Sequence, residues 1–193
     1  MEEDEEKKSP LIYFIAAFLL LIIVGWLIPR YAIPADPRPQ VEVSLESVRA
    51  LLSNVSNIPL EKIEVDITSA KHIANFIATT ACPNGNKICY AKALYYFVRD
   101  NIVYISDPVS REFIQMPQAT IVNGGGDCDD GSVLLASMLE SIGIKTEFVY
   151  KPNHVYVKAW LPEAARQYKT EGDWVHLEWT CGTCEFGEIP LSN

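Results

Sequence analysis

The sequence predicts a membrane-spanning helix followed by one folded domain, in which helical segments come first and strands follow. Three observations lead to this class. Residues 11–28 form an uncharged apolar run. Apolar residues then recur at helical spacing in several successive stretches. After a glycine-rich turn and one further helix, two segments alternate apolar and polar residues with the period of a strand.

The apolar run is long enough to cross a bilayer. Eighteen helical residues span roughly 27 Å, close to the thickness of the hydrocarbon core. The alternative is a cleavable signal peptide, which has a shorter apolar region of about 7–15 residues followed by small residues. Here Pro29 and Arg30 follow the run, so we expect an uncleaved single-pass anchor. The N-terminal tail is short, which favours a cytoplasmic N-terminus and an extracellular domain, although two basic residues lie on each side of the run.

The rest of the chain divides by composition. Residues 1–10 form an acidic tail, residues 29–40 contain four prolines and predict an extended stalk, and residues 41–193 suffice for one domain. The net charge is −9, and part of it lies in the tail. An acidic balance argues against nucleic acid as a partner, because binding to phosphates requires clustered basic residues.

Three helices are expected at the start of the domain. Ser44 can cap a helix that carries Val48 and Leu52 on its apolar face. Further helices are expected over residues 69–79 and 91–101. Asn54-Val55-Ser56 is an acceptor triplet for N-glycosylation, which would matter only in an extracellular domain.

A candidate nucleophile follows the glycines at 124–126. Apolar residues at helical spacing begin just after Cys128 and end at Gly143, which is placed as a C-terminal cap. A cysteine in the first helical turn lies near unpaired N–H groups and the positive end of the helix dipole, which stabilise a thiolate. Three carboxylates nearby favour the helix start but oppose the thiolate: Asp127, Asp129 and Asp130. A cationic histidine partner is therefore expected.

Two predicted strands supply that partner. Residues 153–161 place His154 on the face opposite to their apolar residues, and residues 174–179 place His176 and Glu178 on one face. Pairing of these strands could bring a histidine against a carboxylate. A thiol, an imidazole and a carboxylate are the groups of a cysteine catalytic triad.

The segment Gly126-Asp127-Cys128-Asp129-Asp130, with the strands that follow it, resembles the transglutaminase-like superfamily, and more closely archaeal members that carry a membrane anchor. The resemblance covers roughly residues 82–190. It implies Cys128 as nucleophile, His154 as base and Glu178 as the group that orients the base. It also implies an α+β fold related to papain-like proteases, with the cysteine-bearing helix packed on an antiparallel sheet.

The chain departs from the family at two positions. The third catalytic residue usually lies in a segment of the type Leu-Asp-Pro-Thr, whereas this chain has Leu177-Glu178-Trp179-Thr180. Glutamate can orient a histidine, but its extra methylene alters the reach to His154.

Other candidates are weaker. His176 could serve as base in another register, but it lies too near Glu178 on the same strand to be oriented by it. His72 lies on a predicted helix and is expected to be structural or exposed. For a developing oxyanion, the backbone N–H of Cys128 is one donor, and Gln115 or Gln118 is a candidate for the second.

Five cysteines leave Cys128 as the odd thiol. The other four, Cys82, Cys89, Cys181 and Cys184, could form two disulfides in an oxidising compartment or bind one structural zinc in a reducing one. Disulfides are favoured because the domain is expected outside. No other cofactor is expected.

The predicted function is that of a membrane-anchored cysteine enzyme that cleaves or transfers amide bonds through a thioester. Its substrate is expected to be a protein or peptide. Hydrolysis by a peptidase or amidase is favoured over transamidation, because many small members of the superfamily are protease-like. The alternative is a non-catalytic, membrane-tethered binding or assembly module with the same fold.

Overall fold

The chain divides into two compact units, Met1–Asp36 and Pro37–Asn193. A computed structural model describes residues 10–31, 38–55, 67–83, 85–108 and 113–190. Three predicted features fall at least partly outside the described residues. They are most of the acidic tail (1–9), the middle of the stalk (32–37), and the glycosylation triplet, of which Ser56 and the side chain of Asn54 are not described.

The described part of the first unit is a helix, α1, over Pro10–Tyr31. The stalk was predicted to begin at Pro29, but the helix continues through this proline. A proline near the end of a helix already has a helical φ and removes only one hydrogen bond, so two further residues can remain helical. Large apolar side chains of α1 are exposed, among them Phe14 at 77% and Leu21 at 67%. Counting only the described residues, none of the helices is both long enough and apolar enough to cross a membrane.

The second unit begins with three helices: α2 (Leu45–Val55), α3 (Ile67–Ala81) and α4 (Lys87–Asn101). Ser44 caps α2 as predicted, since its Oγ accepts the Ser47 N–H at 3.2 Å. Helix α4 begins four residues earlier than predicted, because the Asn86 side chain accepts two N–H groups of its first turn.

The glycines at 124–126 end a helix and form a strand. Helix α5 (Pro117–Asn123) ends at Gly124, whose φ is +73°. The next two glycines are strand β2, which pairs in parallel with β1 (Val103–Tyr104). A Cβ on Gly126 would lie 2.5 Å from the Asp130 side chain, so the close approach inferred from the sequence is present.

The cysteine-bearing helix and the main sheet follow. Helix α6 is Cys128–Ser141, and Gly143 just beyond it has a φ of +78°. The antiparallel sheet has the strand order β3-β4-β6-β5. Its strands are β3 (Thr146–Lys151), β4 (His154–Trp160), β5 (Lys169–Glu171) and β6 (Trp174–Leu177). The α+β class is therefore confirmed.

Helix α6 is buried between α3, α4 and β4. Most of its apolar side chains are fully buried, as are those in the middle of β4 that point to the same face of the sheet: Leu134, Leu135, Met138, Leu139, Val157 and Ala159. Each large apolar side chain buried in this way contributes about 1.5–3 kcal/mol. This core holds the start of α6 beside the start of β4, where Cys128 and His154 lie.

Candidate active site

Cys128 is the first residue of α6, and two flanking carboxylates build the start of that helix. The Asp127 side chain accepts the N–H groups of Asp129 at 3.2 Å and Asp130 at 3.5 Å. In return, the Asp130 carboxylate accepts the Asp127 N–H at 3.2 Å. This reciprocal capping box satisfies donors that the first turn would otherwise leave unpaired. The capping role expected of Asp127 and Asp130 is therefore present.

Helix α6 is bonded to strand β4 within one turn of Cys128. The backbone N–H groups of Val155 and Asp129 favour the thiolate and act to lower the pKa of Cys128. The Val155 carbonyl accepts the buried Ser132 hydroxyl at 3.2 Å. This bond joins α6 to the residue of β4 that directly follows His154. Cys128 is partly exposed and forms no disulfide.

The environment of the sulfur raises the pKa of the Cys128 thiol. Burial is the largest cause, and the carboxylates of Asp127 and Asp129 act in the same direction, while the Val155 N–H opposes them. The expectation that the helix start lowers this pKa was therefore wrong. Desolvation and two nearby negative charges outweigh the N–H groups at the end of the helix. The thiol consequently needs a base to remove its proton.

His154 and Glu178 form a close pair. The imidazole Nε2 lies 2.6 Å from Glu178 Oε2, and the glutamate side chain is only 2% exposed. Glu178 Oε1 accepts the Thr180 N–H at 3.2 Å and the Thr180 hydroxyl at 2.7 Å. A carboxylate can only accept, so Nε2 carries hydrogen and the neutral ring keeps its lone pair on Nδ1. The longer glutamate side chain therefore reaches His154.

Strand pairing explains this contact. Strands β4 and β6 are antiparallel, with Val157 opposite Leu177 and Lys158 opposite His176. Extending the register carries the start of β4 towards the residues that follow β6. Glu178 lies just past the end of that strand and turns its carboxylate to His154.

Cys128 and His154 line one cavity of about 950 Å³. Apolar and aromatic side chains form much of its wall, including Tyr104, Ile114, Val133, Phe148 and Tyr150. Carboxylates also reach it, from Asp107, Asp127 and Asp129. A thiol and an imidazole facing the same space can act together on a group that enters it.

The other predicted histidines lie elsewhere. His176 is 8% exposed, and its Nδ1 lies 2.9 Å from the Tyr156 hydroxyl. Burial, together with the charges of Lys158 and Lys151, lowers the pKa of His176. It is not among the described residues that line the cavity. His72 is exposed on α3.

The Gln115 side chain is hydrogen-bonded to groups outside the cavity lining. Its Nε2 donates to Asp130 Oδ2 at 2.7 Å and to the Gly125 carbonyl at 3.3 Å. Within the described residues, neither Gln115 nor Gln118 lines the cavity. The geometry thus does not place either glutamine as an oxyanion donor.

The remaining cysteines form two disulfides, Cys82–Cys89 and Cys181–Cys184, the pairing expected for an oxidising compartment. Oxygens of Asp127, Asp129 and Asp130 lie within 4.8 Å of one another, close enough to share a cation. Two of these three carboxylates already accept backbone N–H groups of the capping box.

The sequence interpretation missed two residues that hold the site together. Trp179 is 2% exposed, and its indole N–H donates to the Cys128 carbonyl at 3.3 Å. Its ring lies against Gly131, where a Cβ would come within 2.2 Å of it. Glycine inside a helix costs about 1 kcal/mol relative to alanine, so its presence was a signal that another group approaches closely.

The family model of the transglutaminase-like superfamily matches residues 71–179, more than half of the chain. The chain belongs to the transglutaminase-like superfamily. The match extends from α3 to Trp179 and includes Cys128, His154 and Glu178, so the resemblance to the superfamily is confirmed. The α+β architecture is accordingly a transglutaminase-like fold.

Two solved structures are similar to this transglutaminase-like chain. One is a proposed protease from Parabacteroides distasonis ATCC 8503, with 17% identity and a TM-score of 0.45, covering 69% of this chain. The chain spans only 26% of the length of that protein. The other is LapG from Legionella pneumophila, with 16% identity, a TM-score of 0.44, and coverage of 77% of this chain and 78% of the other. No curated protein matches the chain.

Proposed function

We propose that this transglutaminase-like protein is a cysteine enzyme that cleaves amide bonds in a protein or peptide. One observation carries the proposal: Cys128 lines a cavity together with His154, and a buried glutamate bonds the imidazole Nε2 at 2.6 Å. Thiol, imidazole and carboxylate are the three groups that covalent acyl transfer requires. The apolar wall of the cavity suits side chains of a polypeptide.

In the first half of the reaction, Cys128 Sγ attacks the substrate carbonyl carbon while His154 Nδ1 takes the thiol proton. Burial and the nearby carboxylates raise the pKa of the thiol, so the base is needed to remove its proton. The Cys128 N–H, at the start of α6, is a natural donor to the oxyanion. Nδ1–H then protonates the leaving amine, the C–N bond breaks, and a thioester remains on Cys128.

In the second half, His154 Nδ1 removes a proton from water, and the resulting hydroxide attacks the thioester. The protonated imidazole returns its proton to the thiolate as the acid leaves. The side chain of His154 is 27% exposed, so water can reach the base. Glu178 keeps Nε2 protonated in both halves and stabilises the imidazolium.

The test is to trap the acyl-enzyme. The protein is incubated with a peptide library, quenched in acid, and analysed by mass spectrometry for an adduct on Cys128. We expect an acyl adduct on the wild type, released as acid in water, and none on Cys128→Ala. A Cys128→Ala variant that still processed the library would refute the proposal and leave the non-catalytic binding module. Release of the acyl group to an added amine in preference to water would favour transamidation.

The proposal includes membrane attachment through residues 11–28, with the N-terminus in the cytoplasm and the enzyme domain outside. Support comes from the uncharged run and from the exposure of its large apolar side chains. Two disulfides suit an oxidising compartment. We expect the full chain to stay in the membrane pellet after alkaline carbonate extraction, and a variant with Leu20→Arg and Leu21→Arg to be released. Release of the wild type would refute attachment without affecting the enzymatic proposal.

A further inference from the structure

Trp179 stands directly after Glu178, at one of the two positions where this chain departs from the Leu-Asp-Pro-Thr pattern. It is among the largest fully buried side chains of the protein. Its indole ring extends from the segment after β6 towards the first turn of α6. One residue therefore connects the sheet that carries the His154–Glu178 pair with the helix that carries the thiol.

The first connection is a hydrogen bond to the nucleophile residue itself. The Trp179 indole N–H donates to the Cys128 backbone carbonyl at 3.3 Å. This bond acts on the backbone of Cys128, and it leaves the sulfur free to react. A donor aimed at this carbonyl restricts how the first residue of α6 can shift along or rotate about the helix axis.

The second connection is a close contact without space for a side chain. A Cβ added to Gly131 would lie 2.2 Å from Trp179 Cε2 and 2.3 Å from Cζ2. The backbone of α6 thus rests directly on the indole ring. Tyr104 also lies against the indole, with the two ring centroids 6.2 Å apart. The buried indole is held by these contacts, so its N–H has a defined direction.

From these contacts, we infer that Trp179 is a positioning residue, which sets the thiol of Cys128 against the His154–Glu178 pair. The neighbouring residues Glu178 and Trp179 bond the base and the nucleophile residue respectively, so a single backbone segment sets the spacing between the two. This inference rests on the proposed function, since it assumes that Cys128 and His154 react together.

The experiment measures the rate at which iodoacetamide alkylates Cys128, across pH 5 to 9, in a double-mutant cycle. Trp179→Phe keeps an aromatic ring against Gly131 but has no N–H. We expect it to lower the rate at neutral pH about fivefold, as loss of one hydrogen bond would. In a His154→Ala background, the same substitution should change the rate less than twofold, because the partner against which the thiol is positioned is absent.

Two further variants complete the design. Gly131→Ala adds a methyl group that pushes the indole away from α6 without changing Trp179. It should lower the alkylation rate in the same His154-dependent way as Trp179→Phe. Trp174→Phe is the matched control, since this half-buried tryptophan lies on β6 under Lys145 and Lys158 and should leave the rate unchanged. Urea unfolding of each variant ensures that only folded proteins are compared. If one of Trp179→Phe and Gly131→Ala does not fold, the other alone tests the positioning role.

The outcomes separate this inference from the proposed function. The positioning role is wrong if Cys128 is alkylated in Trp179→Phe and Gly131→Ala as fast as in the wild type. It is also wrong if the two substitutions lower the alkylation rate by the same factor with and without His154. If the wild type itself reacts no faster than His154→Ala, the base is not acting on the thiol and the proposed function fails first. A loss that depends on His154, in a protein that stays folded, supports the role.

Discussion

Glu178 bonds the imidazole Nε2 of His154 at 2.6 Å although it lies beyond the last residue of β6. The carboxylate is buried and accepts two more hydrogen bonds from Thr180, so it is held on both oxygens. A glutamate in this setting sets the orientation of the ring and determines which nitrogen carries the proton. The chemistry proposed for Cys128 depends on this contact.

The first prediction concerns the charge of Glu178. Glu178→Gln removes the negative charge that stabilises the imidazolium and can present an N–H to Nε2, which favours the wrong tautomer. We expect alkylation of Cys128 by iodoacetamide at pH 7 to slow by at least about tenfold. Glu178→Asp keeps the charge but has a shorter side chain, so its alkylation rate should lie between those of the wild type and Glu178→Gln.

Glu171→Gln, an exposed carboxamide substitution on β5, serves as the control. An unchanged rate in Glu178→Gln would show that the pair does not act on the thiol.

The second prediction concerns the thiol pKa. The Asp129 carboxylate is one of the charges that raise the pKa of Cys128. Asp129→Asn removes that charge, so the alkylation profile should shift to lower pH and the rate at pH 7 should increase. Glu163→Gln, an exposed substitution elsewhere, should leave the profile in place. A shift to higher pH would contradict the electrostatic account.

The third prediction concerns stability against pH. Burial, the hydrogen bond with Asp127, and the charges of Asp127 and Asp130 raise the pKa of Asp129 to about 7, from 3.8. The folded protein therefore keeps a proton that the unfolded chain loses, so this contribution is complete below pH 3.8 and lost as the pH rises through 7. The urea concentration at the unfolding midpoint should therefore decrease as the pH rises from 5 to 8, after correction for other titrating groups.

Asp129→Asn should make the urea midpoint less dependent on pH between 5 and 8, and it should raise the melting temperature at pH 8 by about 2 °C or more. A variant as sensitive to pH as the wild type over this range would show that Asp129 is not the responsible group.

The fourth prediction concerns the Cys82–Cys89 disulfide, which closes a loop with a sequence separation of 7. Replacing both cysteines by alanine releases a short loop in the unfolded chain and should lower the free energy of unfolding by about 2 kcal/mol. Thiol titration of the denatured, unreduced wild type should count one free cysteine, Cys128. Five free thiols before reduction would rule out both disulfides.

Much of the fold follows from local sequence patterns. Ser44 as a helix cap, the apolar stripe of α6 and the alternation of β4 depend on residues close together in the chain. Such patterns missed β1 and β5, which have two and three residues, because strands this short carry too little periodicity. The early start of α4 was missed because the capping by Asn86 depends on side-chain geometry.

The sequence by itself determined the class of the fold, the superfamily and the three residues proposed to react. Only the tertiary structure decided how they are arranged: Glu178 reaches past its strand to His154, the Val155 carbonyl bonds Ser132 of α6, and the Trp179 indole bonds the Cys128 carbonyl. It also reversed the sign of the expected change in the thiol pKa. The physical reason is that burial and the sum of nearby charges depend on distances between residues far apart in the chain, whereas periodicity and capping depend on neighbours.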